Sequence, residues 1–160
     1  MSHSEPAVNP TGGVVSRRAD TPPALSENLM ARIVSRPNMQ RAWKRVKSNQ
    51  GTPGGDGMTL EAFPDFVRQH WATVRQALLD GSYQPSPVLR VMIPKRSGGE
   101  RPLGIPTVTD RVIQQAILQV LSPIFDPGFS ESSFGFRPGR SAHGALRQVQ
   151  RFINEGRHVA

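Results

Sequence analysis

Apolar residues recur every three to four positions in five segments of the chain, a pattern typical of amphipathic helices. The predicted helices cover residues 26–34, 37–48 and 64–80, a segment that begins after Thr107, and a segment between Ser141 and Gly156. Ser26, Thr107 and Ser141 are favourable cap residues. Gly81 and Gly156 can end helices because glycine adopts positive φ. We therefore expect the apolar faces of these helices to be buried.

The core predicted from these apolar stripes draws on the second to fifth helices. Its predicted members are Met39, Ala42, Trp43, Val46, Phe63, Val67, Trp71, Val74, Leu78, Val112, Ile113, Ala116, Ile117, Val120, Leu121, Ala142, Ala145, Leu146, Val149, Phe152 and Ile153. Before the first helix, Leu25 can pack onto Met30 as a hydrophobic staple. The aromatic residues of the third helix follow the helical period, so we interpret them as core residues rather than as stacking platforms.

Two short apolar segments with a different pattern lie between the third and fourth helices. The segments "PVLRVMIPK" and "ERPLGIP" are typical of β-strands, and "RSGG" between them indicates a turn. Two strands are too few for an independently stable sheet, so we expect them to lie on the helices. The predicted fold class is α+β, mostly helical, with a small antiparallel β-hairpin packed on helices.

The composition indicates a small domain of an intracellular protein. Of 160 residues, 36% are hydrophobic, 15 are Gly and 15 are Pro, so we expect a modest core. The absence of cysteine excludes disulfides and thiolate metal sites. No apolar run reaches the roughly 18 residues of a membrane span, and the polar N-terminus does not resemble a secretory signal. We expect a cytoplasmic protein without a membrane partner.

The chain is strongly basic, with a formal net charge of +8 and a pI near 11.4. Residues 1–23 are polar and rich in Ser, Pro, Gly and Thr, and we predict that they form a disordered tail. The charges of that tail cancel, so the whole excess belongs to residues 24–160. This excess favours a polyanionic partner, with nucleic acid as the leading candidate. A charge excess that only aids solubility is the simpler alternative.

The predicted hairpin concentrates cations at its tip. Lys95 and Arg101 lie near one another across the two strands, where like charges destabilise a sheet. A phosphate chain between them would favour this arrangement, because Arg grips oxygens bidentately and Lys adds a point charge. Gly98 and Gly99 would let backbone N–H groups approach the same anion. The alternative is a solvated tip whose charges oppose edge-to-edge aggregation.

The second helix and the loop after it form another candidate region. Arg41, Lys44 and Arg45 belong to an interval without acidic residues that extends from Glu27 to Asp56. The loop "NQGTPGGDG" follows the helix. These features suit contacts with a phosphate backbone, while a solvated basic face and a plain helix connector are the alternatives.

The turn "GFRPGRS" carries Arg137 and Arg140 just before the fifth helix. Such a turn can present guanidinium groups and free helix-start N–H groups to a phosphate. The alternative is a loop that pins two helices together with Phe134 and Phe136 buried. Arg111, near the start of the fourth helix, is a weaker candidate for contact with nucleic acid.

Three stretches of the sequence resemble one enzyme family. "YQPSPVLRVMIPKRSGGERPLGIPTVTDRVIQQAI" resembles the first conserved block of group II intron reverse transcriptases, the intron-encoded maturases, and "FSESSFGFRPGRSAHGAL" resembles their second block. "NQGTPGGDG" is similar to the glycine loop of the N-terminal extension that these enzymes share with non-LTR retroelement polymerases. The resemblance extends over about residues 24–160, in the family's order.

The resemblance implies the fingers lobe of a right-hand polymerase. It implies that Lys95 and Arg101 hold the triphosphate of the incoming deoxynucleotide (dNTP). It also suggests that the second block lies along the RNA template and that the glycine loop covers the template from the other side. The candidate template or intron RNA contacts are Arg137, Arg140, Arg111, Gly54, Gly55, Arg41, Lys44 and Arg45.

The chain departs from the family in the residues of catalysis. Family enzymes transfer nucleotides with two metal ions held by palm carboxylates, one aspartate soon after the second block and two in a later Tyr/Phe-x-Asp-Asp turn. Neither feature is found in the sequence. We therefore predict no catalytic residue and no metal ligand in this chain, which we expect to be inactive alone. Mg²⁺ is expected for the complete family enzyme.

Three interpretations remain open. The leading one is a fingers fragment with an N-terminal extension over 24–58 and an incomplete fingers subdomain over 59–160, ending before the palm. Its partners would be RNA, dNTP, and either the missing palm or a second copy of the chain. The second is a stand-alone RNA-binding module that assists intron splicing as maturases do. The third is a truncated remnant without function.

Overall fold

The computed structural model describes residues 28–157, which form five α-helices and one two-stranded antiparallel sheet. The elements are α1 (Leu29–Ile33), α2 (Arg36–Ser48), α3 (Phe63–Asp80), β1 (Leu89–Pro94), β2 (Glu100–Ile105), α4 (Val108–Phe125), a 3-10 turn (Asp126–Gly128) and α5 (Ala142–Asn154). The mostly helical α+β class predicted from the sequence is confirmed. The predicted tail, the Ser26 cap and the Leu25 staple lie outside the described residues. None of the described helices is long and apolar enough to cross a membrane.

The helix ends follow from local sequence chemistry. At the start of α4, Thr107 Oγ1 accepts a hydrogen bond from the Asp110 N–H at 3.1 Å. At the start of α5, Ser141 Oγ accepts one from the Gly144 N–H at 3.1 Å. Gly81 ends α3 with a left-handed φ of 77°. The caps and the stop predicted at these positions are confirmed, and each satisfies backbone groups that a helix end leaves unpaired.

Helix α4 lies at the centre of the core. Helix α4 supplies more of the buried core than any other described element, and the buried core residues are Ile33, Val34, Ala42, Val46, Phe63, Leu78, Val108, Val112, Ile113, Ala116 and Val120. Helices α1, α2 and α3 supply the other members, so residues on both sides of position 58 share one core. The boundary that we placed there between an N-terminal extension and a fingers subdomain stays a prediction.

A buried amide joins α1, α2 and α4. Asn38 is 2% exposed, and its Nδ2 donates to the carbonyl oxygens of Ile33 at 2.8 Å and Ala116 at 3.0 Å. Its Oδ1 accepts hydrogen bonds from Gln119 Nε2 at 2.9 Å and Arg41 Nη2 at 3.2 Å. Both polar atoms of the buried Asn38 amide have hydrogen-bond partners, so its burial leaves no polar group unsatisfied. The amide therefore sets the register of the three helices.

A buried carboxylate fastens the segment after α3 to the first turn of α4. Asp110 is 3% exposed and accepts hydrogen bonds from Tyr83 Oη at 2.8 Å, from the Ser86 N–H at 3.2 Å and from Thr107 Oγ1 at 2.7 Å. The pKa of Tyr83 is raised, mainly by burial of its hydroxyl and also by the hydrogen bond to the Asp110 carboxylate. The segment that leads into β1 is thereby held at a defined place.

The hairpin projects further from the helices than we expected. Leu89 pairs with Ile105 at its base, and Pro94 pairs with Glu100 near its tip. Most residues of both strands are exposed, and only Ile93 and Ile105 are partly buried. The expected packing of the hairpin on the helices is thus limited, because the strands are held mainly by their own hydrogen bonds and by contacts at the base.

The glycine loop supplies the contact at the base of the hairpin. A Cβ added at Gly54 would lie 2.6 Å from Thr107 Cα and 2.7 Å from the Pro106 carbonyl oxygen. A Cβ added at Gly55 would lie 3.0 Å from the Pro87 carbonyl oxygen. The loop therefore packs backbone to backbone against both the start of α4 and the approach to β1, at a distance that only glycine permits.

Helix α5 forms as predicted, but its apolar face is not buried. Leu146 is 67% exposed, Val149 53% and Ile153 58%, and no residue of α5 is buried. Side-chain contacts with the preceding loop hold the helix, among them a hydrogen bond from Gln148 Nε2 to Ser132 Oγ at 2.9 Å. The prediction that this face belongs to the core is wrong for the described residues, because none of their elements covers it.

We predict that Gly54→Ala lowers the free energy of unfolding by about 1–3 kcal/mol, the usual cost of overpacking. The added methyl would meet backbone atoms of Pro106 and Thr107, which cannot rotate away. Gly135→Ala is the matched control, since a Cβ there meets no atom within 4 Å, and it should change stability by less than about 0.5 kcal/mol. Urea unfolding followed by circular dichroism measures both. Equal stabilities for the two variants would contradict the close packing of the loop.

Candidate nucleotide and nucleic-acid interface

The strand register places Lys95 and Arg101 on one side of the hairpin. Arg101 lies directly opposite Ile93. Lys95 follows Ile93 by two positions, and its N–H donates to the Gly99 carbonyl oxygen at 2.9 Å. Side chains two positions apart share a strand face, so Lys95 and Arg101 are diagonal neighbours, about 7–8 Å apart at this spacing. Arg90 precedes Ile93 by three positions and pairs with Gly104, and so lies on the other face.

The turn between the strands depends on two glycines with positive φ. Gly98 has a φ of 87° and Gly99 a φ of 76°, values that strain any residue with a Cβ. The Gly98 N–H donates to the Lys95 carbonyl oxygen at 3.1 Å and closes the turn. The predicted turn is confirmed, and it fixes where the chain reverses between the two cations.

The cations at the hairpin tip have no acidic partner among the described residues. None of the ion pairs within 28–157 includes Lys95, Arg96 or Arg101. The nearest acid in sequence, Glu100, pairs with Pro94 and so lies on the opposite face from Arg101. All three cations are exposed. The tip therefore presents positive charge that is available to an anion.

A second cationic surface covers α2. Arg41, Lys44 and Arg45 are exposed, and in the described part of the chain none of them forms an ion pair with an acid. The guanidinium of Arg41 is oriented by its hydrogen bond to Asn38 Oδ1. The same helix buries Ala42 and Val46 on its other side. These three predicted contacts thus share one solvent-facing surface of a well-packed helix.

Arg137 is occupied by its own chain. Its side chain is 8% exposed, and its five N–H donors bind Asp126 Oδ1, Oδ2 and O and the carbonyl oxygens of Ser130 and Ser133. Because an arginine side chain has five such donors, none remains for a phosphate. The geometry of Arg137 matches the alternative in which this loop is a structural connection.

The ion pair between Arg137 and Asp126 shifts the pKa of both residues. The hydrogen bond from Arg137 lowers the pKa of Asp126, and the same bond raises the pKa of Arg137. The guanidinium also lies over the ring of Phe129, with its carbon 5.4 Å from the ring centroid. No local pattern links Asp126 to an arginine eleven positions later, so the sequence did not indicate this pair.

Arg140 is less firmly held than Arg137. Its Nη2 donates to Glu131 Oε2 at 2.9 Å, but the Glu131 side chain is 87% exposed. The hydrogen bond from Arg140 lowers the pKa of Glu131. An ion pair of this kind contributes little to stability in water. Arg140 can therefore exchange a solvated carboxylate for a phosphate at small cost.

Phe136, the residue before Arg137, is not buried as it would be in a loop that pins two helices together. Phe136 is fully exposed and has a φ of 57°, a left-handed conformation that is unfavourable for a bulky residue. Phe134 is partly buried, and its ring contacts Gly144 at the start of α5. The expectation that both rings are buried is thus wrong for Phe136, because the turn directs that side chain outward.

Arg111 supports the glycine loop. Its Nη2 donates to the Thr52 carbonyl oxygen at 2.8 Å, and a Cβ added at Gly51 would collide with its Nη1 at 2.3 Å. Its Nε is buried and has no hydrogen-bond partner among the described residues. Arg111, Gly54 and Gly55 all lie where the loop meets neighbouring backbone. Their observed contacts hold the loop in place, and contacts of the loop with RNA remain a prediction.

The described residues contain no group of three or more His, Asp and Glu side chains that could hold a metal ion. Asp56, Asp110 and Asp126 belong to the glycine loop, the α4 cap and the Arg137 pair. These acids lie on separate elements and do not fit a Mg²⁺ site in the described part of the chain.

Known proteins match the region that contains these features. Residues 93–158 match the family described as reverse transcriptase (RNA-dependent DNA polymerase). Protein YkfC of Escherichia coli is 39% identical over 135 residues, which are 82% of this chain and 35% of that protein. Group II intron-encoded protein LtrA of Lactococcus lactis is 40% identical over 111 residues, 69% of this chain and 18% of that protein. Nuclear intron maturase 2, mitochondrial, of Arabidopsis thaliana is 50% identical over 42 residues, 26% of this chain and 6% of that protein.

The chain thus spans about a third or less of the length of these relatives. The family match contains both the hairpin tip and the turn that carries Arg137 and Arg140. These are the two segments that the sequence had indicated. The chain therefore belongs to the reverse transcriptases and maturases encoded by group II introns.

Proposed function

We propose that this chain is the fingers region, with an N-terminal extension, of a group II intron reverse transcriptase. In this proposal it binds intron or template RNA and holds the triphosphate of the incoming dNTP. The acidic residues described here do not form a metal site, so the chain contributes binding and positioning rather than the nucleotidyl transfer itself. The carboxylates and the Mg²⁺ of the complete enzyme would act from outside this chain.

The observation that carries the proposal is the pair of unneutralised cations at the hairpin tip. Lys95 and Arg101 share a strand face and have no acidic partner within residues 28–157. A triphosphate presents several charged oxygens in a row, so two cations at diagonal spacing can contact neighbouring phosphate groups. Neutralising the charge that develops on the leaving pyrophosphate favours nucleotidyl transfer.

RNA contact is assigned first to Arg41, Lys44 and Arg45 on α2 and second to Arg140. The α2 cations are exposed on one helix surface and carry no ion pair in the described chain. Arg140 binds the exposed carboxylate of Glu131 and the carbonyl oxygen of the same residue, and its guanidinium lies over the ring of Phe134. In this proposal Arg137 acts as a positioning residue, which holds the turn that presents Arg140.

A second candidate is a stand-alone RNA-binding module that assists intron splicing. The observation that favours it is the location of the α2 surface, which lies on a different element from the hairpin and does not require a bound nucleotide. RNA binding that survives the loss of Lys95 and Arg101 is expected in both cases. Loss of triphosphate binding in the same variants distinguishes the polymerase region, since a pure RNA-binding module has no use for it.

A third candidate is a remnant without function. The exposed apolar face of α5 is the observation that favours it, because an uncovered apolar stripe weakens cooperative folding. A cooperative thermal transition together with specific RNA binding by the 160-residue chain would exclude this candidate.

We predict that Lys95→Ala and Arg101→Ala each lower the affinity for a dNTP by about tenfold or more, the usual effect of losing a charge-assisted hydrogen bond. Arg96→Ala removes an equal charge from the turn rather than from the strand face, and its effect should be smaller. Competition with a fluorescent nucleotide at low salt measures the affinities. Equal losses in all three variants would show that only net charge matters and would contradict a defined site.

We predict that Lys44→Gln and Arg45→Gln each reduce the slope of log affinity against log salt for single-stranded RNA by about 0.7, the value for one phosphate contact. Neither side chain makes an ion pair in the described chain, so the fold should be unaffected. Arg147→Gln on α5 is the charge-matched control. A slope that changes equally in the control would argue against α2 as the RNA surface.

We predict that Arg137→Lys lowers the urea midpoint of unfolding more than Arg140→Lys does, because a lysine replaces five fixed donors with three on a flexible stem. The lowered pKa of Asp126 gives the sign of the pH dependence. Its contribution to stability is present at neutral pH and is lost as the pH falls through that lowered value.

Asp126→Asn tests the same pair and should flatten the loss of stability on the acid side. Midpoints measured between neutral and acid pH provide the comparison. The roles assigned to Arg137 and Arg140 would be reversed if Arg137→Lys reduced the RNA salt slope and left the urea midpoint unchanged.

A further inference from the structure

A groove of about 370 Å³ lies between α2 and α3. Its walls are Arg36, Met39 and Trp43 from α2 and Phe63, Val67 and Trp71 from α3. Val112 of the buried core forms part of its lining. The volume falls in the range typical of small-molecule pockets. The groove is therefore large enough for a ligand group and is lined mainly by apolar and aromatic side chains.

Aromatic rings define the shape of this groove. The ring centroids of Trp43 and Phe63 are 4.7 Å apart, with an interplanar angle of 35°. Phe63 is 6% exposed and is anchored in the core, whereas Trp43 and Trp71 are only partly buried. The two indoles thus retain accessible surface on opposite walls. The helical period predicted these residues as core, which is correct for Phe63 and incomplete for the tryptophans.

The edge of the groove is positively charged. Arg36 is exposed at the wall, and Lys47 Nζ lies 6.0 Å from the centroid of the Trp43 ring. Neither cation belongs to an ion pair within residues 28–157. The groove is therefore an aromatic recess with Arg36 in its wall and Lys47 beside the Trp43 ring. Both cations lie on the same helix that carries the proposed RNA contacts.

We propose that this groove binds an unpaired base of RNA that lies along α2. The base would contact Trp43 and Trp71, and the phosphates beside it would contact Arg36 and Lys47. A nucleotide combines a flat apolar face with an adjacent negative charge, which is the combination that the groove complements. An uncharged apolar segment would leave the cations without a partner. The inference rests on the proposed RNA-binding function and assigns a base subsite to it.

The experiment uses the intrinsic fluorescence of the two tryptophans. Trp43 and Trp71 are the only tryptophans of the chain, and both line the groove. The 160-residue chain is titrated with single-stranded oligo(A), with an abasic oligonucleotide of equal length and with inorganic polyphosphate. We expect a saturable change of emission with oligo(A), and binding without that change for the two probes that lack bases.

Two variants separate the base contact from the charge contact. Trp71→Leu keeps an apolar side chain in the groove but removes the aromatic face, and it should lower the affinity for oligo(A) by about fivefold or more. Its affinity for the abasic probe should not change. Arg36→Gln should weaken the binding of both probes. Arg147→Gln, an exposed arginine of α5 outside the groove lining, is the control and should affect neither.

Each contrary outcome has a distinct meaning. Tight binding of oligo(A) with unchanged emission, or equal affinity of Trp71→Leu and the original chain for oligo(A), overturns the base subsite and leaves the proposed RNA function intact. Failure of the original chain to bind any RNA overturns both. Displacement of oligo(A) by an acidic amphipathic peptide, accompanied by the same emission change from the peptide alone, shows that the groove is a site for a protein and also overturns the inference.

Discussion

The first turn of α4 holds two separate segments of the chain in place, and the candidate sites depend on it. Asp110 is buried there and accepts a hydrogen bond from Tyr83, which fixes the approach to the hairpin. Gly54 packs against the backbone just before the helix, and Arg111 holds the loop through the Thr52 carbonyl oxygen. A buried carboxylate is stable only when its hydrogen bonds are made. The turn, the loop and the hairpin base are therefore positioned together.

The cations of this chain fall into two groups with different physical roles. Arg137 is almost completely buried and gives all five donors to its own loop. Lys95, Arg101 and Lys44 are exposed and have no ion pair in the described part of the chain. A buried arginine with satisfied donors gives rigidity, whereas an exposed cation without a partner attracts phosphate. The net charge of +8 counts both groups of cations alike and does not distinguish them.

The exposed apolar surfaces of the described chain are also of two kinds. The face of α5 formed by Leu146, Val149 and Ile153 carries no charge of its own, and the structure contains nothing that identifies what covers it. The groove between α2 and α3 is different, because cations border its aromatic walls. Aromatic rings beside cations complement a nucleotide, so the groove can be assigned a ligand class, whereas the apolar face of α5 cannot.

Local sequence was sufficient for features that depend on near neighbours. Helical periodicity predicted all five helices, and the caps at Thr107 and Ser141 followed from the residue at each helix start. The apolar segments on either side of the RSGG turn predicted the hairpin that carries Lys95 and Arg101. Each of these outcomes is decided within a few positions along the chain. The family resemblance rested on the same contiguous stretches, and the comparisons confirm it.

Tertiary structure decided which polar groups are already occupied. The bond from Tyr83 to Asp110 spans 27 positions, that from Asn38 to Ala116 spans 78, and Arg137 meets Asp126 across a turn. No periodic pattern encodes such pairs, because they depend on how separate segments pack. The sequence by itself therefore determined the elements and the location of the charge. Only the folded chain determined which of those charges are neutralised internally and which have no ion-pair partner within residues 28–157, because neutralisation requires partners that are distant along the chain.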